Sequence, residues 1–115
     1  MVKVTVGHDA PERCAQAFSV AATAVSSGVD VSLWLTGEAS WFALPGRADD
    51  VVLEHLPPLR DLLDVVLAAG TVTLCTQCAA RRGIGEDDLL PGVKVAGAAL
   101  FTEQVLVEGT QALVY

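Results

Sequence analysis

The sequence predicts an α/β protein, a three-layer α/β/α sandwich around a mostly parallel sheet of five strands. β-Branched and apolar segments alternate along the chain with longer segments of helical periodicity. Such alternation is typical of parallel sheets with helices on both faces. The chain has 115 residues, of which 52% are hydrophobic. A chain of this size can bury a core of its own, so residues 1–115 are expected to form a single domain.

The first half of the chain contains two predicted strands and two predicted helices. Valines alternate with polar residues over residues 2–6 and indicate the first strand. Pro11 suits the first turn of a helix, where its missing N–H would have no partner. Residues 29–35 are apolar enough for a strand buried on both faces. The next helix is predicted to follow Pro57-Pro58 and to end at Gly70.

The second half repeats the alternation with shorter elements. Residues 71–74 predict a third strand that leads directly into a polar segment, residues 76–91, which begins as a short helix. Residues 93–96 predict a fourth strand, residues 98–108 a helix and residues 111–115 a fifth strand. Ligand sites in such sheets lie outside the carboxyl ends of the strands. Four loops are therefore expected at one edge, His8-Asp9, Thr36-Gly37-Glu38, Cys75 to Cys78, and Gly97.

Charge and composition exclude several classes of function. The net charge is −7, from 14 acidic and 7 basic residues, so no cationic face is available for nucleic acid or an anionic membrane. The sequence predicts no secretory leader and no membrane span, and its three cysteines are an odd number. We therefore expect a cytoplasmic protein with reduced thiols. Only 18% of the residues are charged, which favours burial of apolar surface in a homo-oligomer.

Cys75 and Cys78 are the candidate catalytic residues. Cys75 ends a predicted strand and precedes a predicted helix. The free N–H groups and positive dipole end of a helix favour thiolate over thiol, and Arg81 or Arg82 would add positive potential if either turned toward the sulfur. A thiolate is the form that attacks and accepts sulfur. In the structural alternative, Cys75 is simply the buried last residue of its strand.

Three other interpretations remain open on the residues alone. A thiol–disulfide redox protein would also use Cys-x-x-Cys at a strand–helix junction, although Leu74 stands where an aromatic residue is usual. A zinc site needs four ligands, and His8 and Asp9 would have to complete the cysteine pair. The third alternative is a non-catalytic, oligomeric binding module. We predict no metal and no cofactor.

The segment Cys75-Thr76-Gln77-Cys78-Ala79-Ala80-Arg81-Arg82-Gly83-Ile84 resembles the DsrE/DsrF-like sulfur-relay family. Its Cys-x-x-Cys-Ala-x-Arg-x-Gly pattern is similar to the YchN-like branch. The resemblance implies a compact α/β/α fold that assembles as a homotrimer or homohexamer. It also implies that Cys75 carries a persulfide and exchanges sulfur with donor or acceptor proteins. Cys78 does not belong to the pattern of every relay member, so its role is left open.

The remaining cysteine, the histidines and the aromatic residues are predicted to have structural roles. Cys14 shares a helix face with Phe18 and is expected in the core. His8 and His55 are expected in solvated loops. Four aromatic residues are assigned to the core or to a subunit interface, where they would cover large apolar areas, namely Trp34, Trp41, Phe42 and Phe101. The Trp41-Phe42 segment of a neighbouring subunit is expected to enclose the Cys75 site.

Overall fold

The computed structural model describes residues 1–115. The five strands are β1 (Val2–Val4), β2 (Ser32–Leu35), β3 (Thr71–Cys75), β4 (Val93–Ala96) and β5 (Leu113–Val114). The four α-helices are α1 (Pro11–Ser26), α2 (Leu59–Ala69), α3 (Thr76–Arg82) and α4 (Ala98–Val105). Two 3-10 helices lie at Gly37–Ala43 and Glu86–Asp88.

The strands form one sheet in the order β4-β3-β2-β1-β5, and every neighbouring pair is parallel. The predicted α/β class with a five-stranded parallel sheet is therefore confirmed. Each strand reaches the next through a helix, and the long return from β4 to β5 places α4 on the face opposite α1 and α2. This arrangement follows from the right-handed crossover that parallel strands adopt.

The two faces of the sheet are covered unequally. The face toward α1 and α2 contributes alternate strand residues, including Val4, Leu33 and Leu74, to a continuous apolar core. The other face is covered by α4, where the Phe101 ring meets Trp34 edge-on at a centroid distance of 5.2 Å. No residue of α4 is fully buried. A single short helix therefore leaves part of this face open.

Several boundaries differ from the sequence prediction, among them the end of β1, which lies at Val4 and not at residue 6. Val29 donates its N–H to the Ala24 carbonyl and closes α1, so β2 begins only at Ser32. The last helix ends at Val105 instead of residue 108, and β5 spans two residues where five were predicted. No helix of the chain is long and apolar enough to cross a membrane.

The aromatic residues divide between the core and the surface of the chain. Phe42 and Trp34 are 0% and 2% exposed, so the structure removes both from the candidates for a subunit interface. Phe42 packs edge-on against Phe18 within the core. Trp41 and Phe101 are half-buried and keep accessible ring surface. Cys14 is fully buried, as predicted for its position beside Phe18.

Two glycines with positive φ differ in what surrounds them, and they make a matched test of the fold. Gly28 (φ +81°) faces open space, so Gly28→Ala should cost only the backbone strain of about 1–2 kcal/mol. Gly37 (φ +51°) lies against the backbone of Thr5, and an added Cβ would collide with the Thr5 carbonyl oxygen. Gly37→Ala should therefore destabilise the protein by a further ~1–3 kcal/mol. Urea unfolding of both variants measures the difference, and equal losses would contradict the close packing of Gly37 on β1.

Candidate functional site

The two candidate cysteines lie at the junction where β3 ends and α3 begins. Cys75 is the last residue of β3 and the residue immediately before α3, with an extended backbone (φ −65°, ψ 123°). It pairs with Ala96 of the neighbouring strand. Cys75 is half-buried, whereas Cys78, three residues into the helix, is 8% exposed. The junction thus presents one accessible thiol and one shielded thiol.

The Cys78 sulfur receives hydrogen bonds that favour its thiolate. The Gly37 N–H donates to Cys78 Sγ at 3.3 Å. Burial opposes ionisation, but this N–H, the side chains of Cys75 and Ser40, and the charge of Arg82 together outweigh it and lower the pKa of Cys78. The lowered pKa therefore results from the contacts around the sulfur and not from solvation.

Ser40 has an unusual position beside this sulfur. Its hydroxyl is fully buried and has no hydrogen-bond partner of good geometry. Buried hydroxyl groups without a partner are uncommon in folded proteins. The hydroxyl nevertheless lies close enough to Cys78 to lower the pKa of that thiol. We interpret it as a donor held ready for a thiolate, because a thiolate is a much better acceptor than a neutral thiol.

The loop that supplies the Gly37 N–H is fixed to β1 by backbone hydrogen bonds. The N–H of Thr36 donates to the Val4 carbonyl at 2.9 Å, and the N–H of Glu38 donates to the Thr5 carbonyl at 3.0 Å. The Thr36 hydroxyl donates to the same Val4 carbonyl at 2.9 Å. The Gly37 amide is therefore oriented by the sheet itself and needs little reorganisation to hold a charged sulfur.

Arg82 is held in place by three kinds of contact. Its Nη2 donates to Glu38 Oε1 at 2.7 Å, and its Nη1 donates to the Cys78 carbonyl oxygen at 3.4 Å. The guanidinium also lies 5.9 Å from the Trp41 ring centroid, and Arg47 lies 5.3 Å from the same ring. These contacts keep one positive charge near Cys78.

Both sulfurs line a cavity of about 350 Å³, which we call the thiol pocket, between the carboxyl edge of the sheet and α4. Its aromatic wall consists of Trp34 and Phe101, and Trp34 Nε1 donates to Gln104 Oε1 at 2.9 Å. A larger concavity of about 690 Å³ lies at the opposite, amino edge and contains no cysteine. We place the candidate site in the thiol pocket because both candidate cysteines line it.

Of the four predicted loops, those at Thr36-Gly37-Glu38 and at Cys75 to Cys78 contribute lining residues to the pocket. Gly97 is represented only by its neighbour Ala98, and the His8-Asp9 loop does not line the pocket. His8 Nε2 lies 3.0 Å from Asp50 Oδ1, and its ring packs on Phe42. Asp9 accepts the Gly7 N–H through Oδ1 at 2.7 Å. No three His, Cys, Asp or Glu side chains come together as ligands for one metal ion. The structure therefore does not bring His8 and Asp9 to the cysteines, as the zinc interpretation requires.

Cys14 is chemically distinct from the pair. Burial, together with the nearby charge of Asp9, raises the pKa of Cys14 to about 12. A thiol with this pKa is almost entirely protonated near neutral pH. The candidate catalytic thiols are consequently Cys75 and Cys78 at the thiol pocket, and Cys14 is a core residue.

Several residues of the site had no predicted role. The sequence predicts Gly37 only as part of a loop at the sheet edge, and it assigns no role to Ser40 or Lys3. Their roles depend on contacts between residues about forty positions apart, such as Gly37 and Cys78. For Lys3 the sequence does contain a signal. Lys3 alternates with Val2 and Val4, so its side chain lies on the opposite face of β1, the face covered by α4.

The chain belongs to the DsrE/DsrF-like family, whose model matches residues 1–110. Its fold is that of the YchN protein from E. coli, a crystal structure with a TM-score of 0.79 and 21% sequence identity. That likeness covers 99% of this chain and 97% of the YchN chain. At this level of identity the likeness establishes the fold, and the family match confirms the resemblance found in the cysteine segment.

Relatives occur among archaea. An uncharacterized protein of Methanocaldococcus jannaschii is 31% identical over 84% of this chain, which spans only 36% of the length of that relative. A second uncharacterized protein of the same organism is 27% identical over 83% of this chain and 81% of its own length. A Methanopyrus kandleri protein is 30% identical over 74% of this chain and 68% of its own length. These relatives therefore match the chain over very different shares of their own length.

The Ser40 hydroxyl gives a test of the thiolate assignment. Ser40→Ala removes a donor near Cys78, so the pKa of that thiol should rise while the melting temperature changes little, because no other partner is lost. The ultraviolet absorbance of thiolate against pH measures this shift. Ser26→Ala, an exposed serine at the end of α1, serves as the control. An unchanged titration in Ser40→Ala would show that the hydroxyl does not contact the thiolate.

Proposed function

We propose that the protein is a sulfur-relay protein, a persulfide carrier of sulfurtransferase type, in which Cys75 accepts and donates sulfur. The observation that carries the proposal is the half-buried Cys75 in a pocket beside Cys78, whose pKa is lowered. A sulfur carrier needs an accessible sulfur, and Cys75 is the more accessible thiol of the pair. Membership of the DsrE/DsrF-like family supports this chemistry.

The proposed loading step balances without an external oxidant. The Cys75 thiolate attacks the outer sulfur of a donor persulfide, R–S–SH. A new sulfur–sulfur bond forms at Cys75 and the bond within the donor breaks, so the products are Cys75–S–SH and the thiolate R–S⁻. Transfer to an acceptor thiolate is the same exchange in the opposite sense. Cys78 acts as the neighbouring base, since a thiolate at Cys78 can take the proton of the Cys75 thiol.

A thiol–disulfide redox protein is the second candidate, favoured by the proximity of the two sulfurs. In that chemistry the Cys75 thiolate attacks a substrate disulfide, so that a mixed disulfide forms at Cys75 and the first substrate thiolate leaves. The Cys78 thiolate then attacks the Cys75 sulfur, which forms the Cys75–Cys78 disulfide and releases the substrate thiolate. Both functions use the same pair, and they differ in whether an extra sulfur atom stays on Cys75.

We also propose that the protein assembles as a homotrimer or homohexamer with the thiol pocket near a subunit boundary. The exposed large apolar residues are concentrated in α4 and the segment that follows it, and they include Leu100, Leu106, Val107, Leu113 and Val114. Leu100 is adjacent to Phe101, which lines the pocket. A partner subunit on α4 would therefore also shield the sulfur from water. The reduced thiols needed here are consistent with the cytoplasm.

Mass spectrometry after incubation with inorganic polysulfide tests the carrier function. The wild-type protein and Cys78→Ala should gain sulfur on the peptide that contains Cys75, whereas Cys75→Ala should gain none. Cys14→Ala is the control and should load as the wild type does, because Cys14 is buried away from the pocket. Loading of Cys75→Ala at Cys78 would refute the assignment, and loss of two hydrogens without added sulfur would favour the redox function.

Light scattering of charge variants tests the proposed assembly. Leu106→Glu places a charge on a side chain that is 77% exposed beside α4, and it should convert the trimer or hexamer into monomers. Val52→Glu is the control, because Val52 is 62% exposed but lies in a loop remote from α4. A monomeric wild-type protein at micromolar concentration would contradict the proposal.

A further inference from the structure

The thiol pocket has a local charge opposite to that of the whole chain. The protein carries 14 acidic and 7 basic residues, for a net charge of −7. The charged residues that line the pocket are nevertheless Lys3 and Arg81, and no Asp or Glu lines it. On a chain with twice as many acids as bases, a cavity lined only by cations needs a physical explanation.

Neither cation is neutralised by a carboxylate of the chain. The ion pairs join His8 to Asp50, Arg60 to Asp64, and Arg82 to Glu38, and none of them includes Lys3 or Arg81. Glu38, which follows the pocket residue Gly37, is occupied by Arg82 at 2.7 Å. Arg82 thus neutralises Glu38, and the adjacent Arg81, which lines the pocket, has no carboxylate partner.

The two cations of the pocket come from different elements, Lys3 from β1 and Arg81 from α3. Lys3 projects from β1 toward α4, where its Nζ lies 5.1 Å from the Phe101 ring centroid. Arg81 comes from the last turn of α3, the helix that carries Cys78. The hydroxyl of Thr5 also lines the pocket, and it donates to the Tyr115 carbonyl at 2.6 Å, which leaves its oxygen lone pairs as acceptors only. The unpaired cations are therefore the only charged side chains that line the pocket, beside neutral polar residues such as Thr36 and Gln77.

We propose that the thiol pocket binds a small anionic sulfur compound, held by Lys3 and Arg81 with its reactive sulfur toward Cys75. A cavity of about 350 Å³ is at the lower end of the size of small-molecule sites. This inference rests on the proposed sulfur relay, because that function identifies the ligand as a sulfur compound. The preference for an anion depends only on the two cations.

The two chemical classes of donor differ in what they require of the pocket. A small anion needs local positive potential, because the field of a chain with a charge of −7 otherwise repels it. A donor protein would dock on the outer surface, so its binding would depend mainly on contacts outside the pocket. The unpaired Lys3 and Arg81 favour the small anion, and they give it an orientation with the charged end between the two cations.

Competing alkylation of the Cys75-Cys78 peptide by iodoacetate and iodoacetamide tests the proposal. The two reagents carry the same leaving group, but iodoacetate is an anion and iodoacetamide is neutral. The rate with iodoacetate divided by the rate with iodoacetamide is therefore independent of the thiolate fraction and reports the electrostatic potential in the pocket. We expect the ratio to fall about threefold in Lys3→Gln and in Arg81→Gln, the size expected for one charge several ångströms away in a partly solvated site.

Matched controls keep the outcome interpretable. Arg13→Gln removes the same charge from an exposed position on α1, which packs on the other face of the sheet, and it should leave the ratio unchanged. Lys3→Arg should restore the ratio of the wild type. Because Arg81 is exposed at the end of a helix, Arg81→Gln retains the fold even if a change at Lys3 in β1 does not.

A ratio that is the same in the wild type, Arg81→Gln and Arg13→Gln would overturn the anion site. The measurement needs no persulfide, so it stands whether or not sulfur loading of Cys75 succeeds. Conversely, normal polysulfide loading with a flat alkylation ratio would leave the sulfur relay intact and exclude the small-anion ligand. The two proposals can therefore fail separately.

Discussion

The arrangement of the site depends on one close approach, that of the Gly37 loop to β1 and to Cys78. The loop is bound to the end of β1 by the N–H groups of Thr36 and Glu38, and it directs the Gly37 N–H at the Cys78 sulfur over 3.3 Å. A side chain at this position would collide with the Thr5 backbone. Only a glycine at position 37 allows the carboxyl ends of β1, β2 and β3 to approach each other this closely. The sulfur is therefore held by a donor that the sheet has already oriented.

A second constraint is the unequal covering of the sheet. The connections β1 to β2, β2 to β3 and β3 to β4 step across the sheet in one direction, and the connection from β4 to β5 returns in the other. One face therefore carries the main core, and the other is covered by α4. The open part of that face becomes the thiol pocket, with Cys75 at the end of β3 and Lys3 on β1. The same short helix leaves apolar side chains such as Leu106 exposed. The topology thus links the pocket to the surface that we propose for assembly.

Much of the fold could be predicted from the sequence because its signals are local. The alternation of valines around Lys3, the proline that begins α1 and the glycine that ends α2 each depend on neighbouring residues. The short β5 was harder to delimit, because an exposed two-residue strand at the sheet edge has little apolar pattern. Phe42 illustrates the same limit, since burial against Phe18 depends on the tertiary fold and not on its local sequence.

The site was only partly predictable for a related reason. The pair Cys75 and Cys78 stood out by spacing and by its place after a strand. The sequence predicts a favoured thiolate at Cys75, whereas in the structure the pKa of Cys78 is lowered by hydrogen bonds from Gly37, Cys75 and Ser40. Hydrogen bonds between residues forty positions apart cannot be inferred from local sequence, and neither can the ion pair of Glu38 with Arg82 that leaves Arg81 unpaired.

The most direct test of the central claim is a crystal structure of the protein after loading with polysulfide. The account predicts difference density for one additional sulfur bonded to Cys75 Sγ, inside the thiol pocket and on the side of Lys3 and Arg81. The Cys78 sulfur should keep its hydrogen bond from the Gly37 N–H. Additional sulfur on Cys78, or a Cys75–Cys78 disulfide with no added sulfur, would contradict a persulfide carrier at Cys75.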